Sequence, residues 1–401
     1  MVRTCLHCRY STRSEGTAMK TTTPGTTVAH GRQKLAETIR QFTPNWFAMT
    51  MGNGIVFLVI AALPWHFAAQ MTLAHTLWVA DSVLYVVFAG MLLARWIFYP
   101  ETIRPMLHHP LQSMFLGAVP MGLAPVINGL VIFAGPHASE AASQLAYGLW
   151  CVDAVLALAV AVGVPYMMFT AQDHALERIS AVLLLPIVAP EVAASSAAVL
   201  APHVDAQTAR FLVAAGYVLW AVSVPLAFTV LTVVFFRLVI HKLPHRDLGP
   251  SSWLTLGPIG TGALGLLALG HAAPDAFAGT SFEATAIVAR DIGLIGGLLL
   301  WGVGLWWLAM AMLFTLRYSR DGLPFNLGWW GFTFPLGVYT VVTLSLYRTT
   351  GFIAFAALGM ALAALLGGLW LVVLSRTLRG LARGELFHAP CLVGRARPAL
   401  G

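Results

Sequence analysis

Ten stretches of this chain are long and apolar enough to cross a lipid bilayer, and they leave room for little else. A bilayer core about 30 Å thick needs roughly 20 apolar residues per helix. Such runs fall at about 45–65, 71–98, 113–134, 141–168, 179–201, 209–236, 252–271, 284–316, 328–347 and 351–375 of the 401 residues. Composition points the same way: 58% of residues are hydrophobic and only 10% are charged, where an ordinary soluble domain carries about 25% charge. So little charge does not cover a soluble surface of this size. The expectation is an all-α integral membrane protein, with the lipid bilayer as its first partner. A soluble enzyme, a nucleic-acid-binding protein and a largely disordered chain are excluded as readings of the whole.

The net charge of +7 suggests a nucleic-acid partner only until its placement is read. Lys and Arg lie in short polar stretches between the apolar runs. Seven are in the N-terminal tail, two, one, three and two follow spans two, four, six and eight, and five are in the C-terminal tail. Of the 23, only Arg210, Arg290 and Arg348 lie elsewhere. By the positive-inside rule both termini are cytoplasmic, which requires an even number of spans. Ten is even, so two independent readings agree. The expected organisation is a disordered basic tail over 1–43, a transmembrane domain over 44–380 and a cytoplasmic tail over 381–401, in an inner or plasma membrane. The first 43 residues hold no apolar stretch of signal-peptide type. Cys5-Leu6-His7-Cys8 has metal-site spacing but no second pair to complete it, so neither a metal nor a cofactor is expected.

Helix breakers concentrate in the odd-numbered spans. These are Gly52 and Gly54, then Pro120, Gly122 and Pro125, then Pro186 and Pro190, then Gly257, Pro258 and Gly260, and last Pro335 and Gly337. Taking Gly52, Pro120, Pro186, Pro258 and Pro335, the steps are 68, 66, 72 and 77 residues, which reads as five tandem helical hairpins. A proline inside a helix frees a backbone carbonyl. In lipid such a group must be buried in protein or line a wet cavity. The breaks therefore mark either packing bends or a central pathway, and their recurrence in register favours a ring of five inner helices around a pore.

Three segments carry a family resemblance. Phe42-Thr43-Pro44-Asn45-Trp46-Phe47 running into Met51-Gly52-Asn53-Gly54, Leu256-Gly257-Pro258-Ile259-Gly260, and Trp329-Trp330-Gly331-Phe332-Thr333-Phe334-Pro335 resemble spans one, seven and nine of the tellurite-resistance/C4-dicarboxylate transporter family. That family is similar to the plant slow anion channels. The resemblance implies a quasi-fivefold ring of hairpins, a homotrimer and the passage of small anions, with malate and other C4-dicarboxylates, sulfite, tellurite-related oxyanions, chloride and nitrate among the family's substrates. By its place before the proline, it also implies Phe334 as the residue that occludes the pore.

The residues themselves supply further candidates. Asn53, Asn128 and Thr333 are polar groups expected to line the pore. Glu191, the ionisable residue of the odd spans, costs a few kcal/mol at mid-membrane. It either carries a proton with the anion or hydrogen-bonds backbone freed by Pro186 or Pro190. Arg290 lies beside Asp291, and neighbours at i and i+1 do not face each other on a helix. Its expected role is an ion pair with Asp81 on another span, or attraction of anions at the outer mouth. Gly260-Thr261-Gly262-Ala263-Leu264-Gly265 matches a dinucleotide-binding pattern but follows no strand, so it reads as helix packing. No phosphate-binding loop and no paired mid-span histidines occur, which argues against an ATP-driven pump and a membrane haem protein. The function expected is transport, not catalysis.

Overall fold

The computed structural model describes residues 34–134 and 139–392, so the Cys5–Cys8 motif lies outside the described residues. The described chain is helical, without strands, and holds ten helices of membrane-crossing length. These are α1 (Phe47–Ala62), α2 (Gln70–Phe98), α3 (Ala118–Ile132), α4 (Glu140–Thr170), α5 (Leu184–Leu200), α6 (Ala206–His241), α7 (Leu256–Phe277), α8 (Glu283–Asp321), α9 (Thr333–Thr350) and α10 (Ile353–Ala382). Local signals set several ends. Ser139 and Asp205 cap α4 and α6 by accepting backbone N–H bonds, and Gly351, at φ 73°, ends α9 in the left-handed region.

Odd and even helices differ in burial. In the most apolar window of each odd span 78–83% of residues are buried, against 22–33% in the even spans. The even helices present residues such as Val86, Phe169 and Leu299 outward. Each odd helix packs on the next: α1 on α3, α3 on α5, α5 on α7 and α7 on α9. The series closes, because α9 packs on α1.

The inner helices also share a start. Each is led by a 3₁₀ segment that runs straight into the α-helix: Pro44–Trp46, Ser113–Gly117, Ala181–Leu183, Arg246–Thr255 and Leu327–Phe332. This relocates the breakers. Pro120, Pro186, Pro258 and Pro335 are each the third residue of their α segment. There each proline sits where 3₁₀ bonding gives way to α bonding, so it removes a donor from the first α turn and not from the helix interior. Pro125 and Pro190 lie deeper and do interrupt helical bonding. In α1 the equivalent third residue is Met49, not Gly52.

A second repeat fastens the two layers. Five tryptophans on the outer helices each donate the indole N–H to the inner helix of the following hairpin. Trp78 bonds Val126 O at 3.1 Å, Trp150 bonds Ala193 O at 2.8 Å and Trp220 bonds Gly262 O at 2.8 Å. Trp301 bonds Thr343 Oγ1 at 2.9 Å, and Trp370 returns to the first hairpin at Asn53 Oδ1, 2.7 Å.

The termini meet at one end of the bundle. Residues 34–41, expected to be disordered, form a helix. Beyond α10 the chain folds back, with Phe387 stacked on Trp46 at 4.9 Å and Ala389 N donating to Gln41 Oε1 at 2.8 Å. The fully buried Arg95 ties this end together by donating to Phe42 O and to Thr102 Oγ1. Trp150→Phe keeps the ring but removes one link between layers. It is expected to lower the free energy of unfolding by about 1–3 kcal/mol, read as an earlier midpoint for the purified protein in detergent; an unchanged midpoint overturns the role given to these bonds.

Candidate functional site

A cavity of about 230 Å³ opens at the end of the bundle that carries both termini. All five hairpins line it, with Ala48, Phe115, Leu185, Leu254 and Phe334 among the contributors. Ala48, Leu185 and Phe334 are each the second residue of their inner α-helix, so the repeat turns equivalent positions toward one space. Phe334 is 5% exposed and sits beside Pro335 in the wall.

Two electrostatic features suit this space to an anion. The inner helices begin at this end, and a helix N-terminus carries about half a positive charge together with unpaired N–H groups. Several lining side chains also have unfilled hydrogen-bonding capacity. Asn45 Oδ1, Gln112 Oε1 and Trp330 Nε1 are buried and have no hydrogen-bond partner. A carboxamide carries both an N–H donor pair and an oxygen acceptor, so Asn45 and Gln112 offer donors as readily as acceptors. Gln112 is held in place by its own backbone N–H, which donates to His109 Nδ1 at 3.2 Å. Burial pushes the His109 imidazole below its usual value, which keeps that nitrogen free to accept. Sequence reading did not single out Gln112 or His109, because both fall in a polar connection where side-chain direction has no periodicity.

The other candidates sit elsewhere. Asn53 accepts the Trp370 bond and belongs to the joint between α1 and α10. Thr333 is fully buried, donates to Trp330 O at 2.8 Å and faces Gly52. Asn128 is half-buried on α3, with Oδ1 unpaired and outside the cavity. Glu191 is fully buried and neighbours Ser223 of α6. Neither of its carboxylate oxygens has a hydrogen-bond partner, so the expected bond to backbone freed by Pro186 or Pro190 is not made. The Arg290–Asp81 pair is also absent. Arg290 is exposed and meets its own neighbour Asp291 at 3.6 Å. Asp81 is buried against Asn53 and Gly54 of α1.

Several glycines are notches where inner helices cross. A Cβ on Gly52 would come within 2.3 Å of Thr333 Oγ1 and 2.5 Å of the Trp330 ring, and one on Gly337 within 2.4 Å of Ile55. Both contacts bring α1 against the fifth hairpin, where the ring closes. Gly54 faces Pro125 and Gly260 faces the Tyr339 backbone in the same manner.

The profile of the voltage-dependent anion channel family matches residues 41–378, which hold nine of the ten spans and all but the last four residues of the tenth. The chain belongs to that family. Among curated proteins, the sulfite efflux pump of Arthroderma otae is 36% identical over 354 residues, covering 87% of this chain and 93% of that protein. The sulfite efflux pump of Trichophyton rubrum is 36% identical over 355 residues with the same coverage. The malic acid transport protein of Schizosaccharomyces pombe is 24% identical over 370 residues, covering 88% of this chain and 82% of that one. The family and these relatives are transporters or channels, not enzymes. The three resemblance motifs therefore pointed to the right family.

Because the α1–α9 seam is packed to contact, Gly52→Ala is expected to cost about 1–3 kcal/mol from overpacking. Gly90, which faces open space, is the control: Gly90→Ala is expected to leave the unfolding midpoint in detergent unchanged or slightly raised. Equal effects at the two sites overturn the notch assignment.

Proposed function

We propose that this protein conducts small anions across the membrane along the axis of the five inner helices, with Phe334 as the gate. The observation that carries the reading is the 230 Å³ cavity, to which all five hairpins contribute and in whose wall Phe334 stands. A phenyl ring in a narrow apolar neck blocks ions by bulk and by excluding water. The helix N-termini, with Asn45, Gln112 and Trp330, offer weak and distributed stabilisation, which lets an ion leave as well as arrive. Sulfite is the substrate favoured by the two sulfite pumps, each 36% identical to this chain along nearly its whole length. Malate is the second reading, supported by the more distant malic acid transport protein. The distribution of Lys and Arg supports cytoplasmic termini, which makes this cavity the cytoplasmic vestibule. The resemblance noted in the sequence supports a homotrimer.

Removal of the ring tests the gate. Phe334→Ala is expected to raise sulfite flux in proteoliposomes severalfold or more; wild-type flux in a folded variant overturns the assignment.

Glu191 is proposed to couple proton movement to the anion. A charge there would stand unpaired in the membrane interior, where insertion scales put the cost near 3 kcal/mol, whereas a carboxylic acid binds and releases a proton as the helices around it shift. With an imposed pH gradient, wild-type uptake is expected to accelerate and that of Glu191→Gln not to respond. An equal response in both discards the coupling.

A further inference from the structure

At the opposite end of the inner helices lies a second cavity, of about 210 Å³, lined by Leu264, Ala268 and His271 of α7 and by Ser345, Arg348 and Thr349 of α9. These residues continue the stripe that begins at the gate. From Phe334, Ser345 is eleven residues on and Arg348 fourteen, which returns to the same helix face after three and four turns. Along α7 the matching stripe runs from Gly257 through Leu264 and Ala268 to His271. Val341, Ser345, Leu264 and Ala268 are partly exposed between buried neighbours, as expected of side chains on an inner passage.

An inventory of donors identifies the group that would bind a ligand. Ser345 spends its hydroxyl proton on Val341 O at 2.9 Å, and Thr349 spends its own on Ser345 O at 3.0 Å. Thr349 Oγ1 is therefore left to accept from His271 Nε2, 3.0 Å away, which occupies that N–H. Arg348 is different. One guanidinium nitrogen, Nη2, donates to Ala62 O, the carbonyl that ends α1, at 2.7 Å. A guanidinium has five N–H groups, and no other bond from this one is recorded among the described residues. It is the one cation in the cavity wall and one of three Lys or Arg residues away from the end that carries the termini.

Its position also answers an electrostatic need. The inner helices all end on this side, and each C-terminus presents unpaired carbonyls with about half a negative charge. An anion meets repulsion here, the reverse of the vestibule. A guanidinium fixed to one of those carbonyls lowers the barrier.

We propose that Arg348 is an oxyanion-binding residue at the far mouth, taking a sulfite- or carboxylate-type group through charge-assisted hydrogen bonds from its remaining N–H groups. This extends the proposed anion pathway and rests on it, but the site can be tested by binding alone. Sulfite and malate binding to purified protein is measured by calorimetry in detergent, and flux is measured in excised patches with the anion on either side. Arg348→Gln, which keeps a donor for Ala62 O but no charge, is expected to weaken binding about tenfold, the scale of one charge-assisted hydrogen bond. It is expected to raise the half-saturating concentration from the far side by the same factor and to leave that from the side of the termini unchanged. Arg348→Lys restores most of the affinity. Arg210→Gln removes a charge at the same end, where Arg210 bonds Ala276 O at 3.0 Å, and leaves binding unchanged. Wild-type affinity in Arg348→Gln, an equal shift from both sides, or the same loss in Arg210→Gln overturns the site. If Arg348→Gln does not fold, Arg348→Lys decides: binding and far-side half-saturation near wild type support the site, and a folded lysine variant without binding overturns it. Binding that needs Arg348 in a protein that passes no anion would retain the site and discard the pathway.

Discussion

Inside a bilayer no water takes up an unpaired backbone N–H or C=O, so broken helix is tolerated only within protein or against a wet cavity. That constraint sorts this chain into two layers. The five helices with a 3₁₀ lead and a nearby proline or glycine are the buried ones, and their partners outside are long α-helices with apolar side chains turned outward, two of them with an internal proline, Pro165 and Pro225. The placement of four prolines at the third α residue lessens the difficulty further, because each missing donor falls at the change from 3₁₀ to α bonding and leaves the helix interior intact. The same junction turns the next residue back, Phe334 in α9, toward the common cavity.

Closure of the ring depends on short-range fit more than on strong bonds. Lipid is as apolar as a leucine side chain, so helices in a membrane associate through close packing and hydrogen bonds and not through exclusion of water. Glycine notches let α1 and α9 touch, and the five indole bonds link each hairpin to the following one. The indole N–H suits this task because it is a donor on a large apolar body. Its acceptors at Val126, Ala193 and Gly262 are main-chain carbonyls whose second lone pair is free to take it.

The number of spans, the five hairpins and the family were legible because they are written in length, charge and a few fixed residues. The face of each inner helix was not. A helix buried nearly all round has no polar stripe to orient it, so Asn53 and Thr333 read as pore-lining although they bond to Trp370 and Trp330 O. Arg290 and Asp81 matched in depth, but depth gives no angle around the bundle. The tryptophan repeat was present, with Trp78, Trp150, Trp220, Trp301 and Trp370 at intervals of 69 to 81 residues. Its meaning required knowing which inner helix each outer helix meets. The positive-inside count includes Arg95 and Arg237, which are buried and bond main-chain carbonyls. Such groups fasten the chain at the polar end of the bundle, and so they remain on the side that the rule assigns.

If anions follow the proposed route, the parallel arrangement of the inner helices gives it a built-in polarity. N-termini gather at the vestibule and C-termini at the far mouth, so the backbone alone attracts an anion at one end and repels it at the other. Side chains modify that slope. At the vestibule the polar groups are amides, an indole and the carboxylate of Asp247 at the rim, with positive potential left to the helix ends, whereas the far mouth carries a full cation against the carbonyl of Ala62. A channel that placed its strongest charge at the vestibule would hold the anion too firmly to release it. On the proposed reading, setting the charge at the unfavourable end flattens the profile instead, and leaves passage to the proposed gate at Phe334.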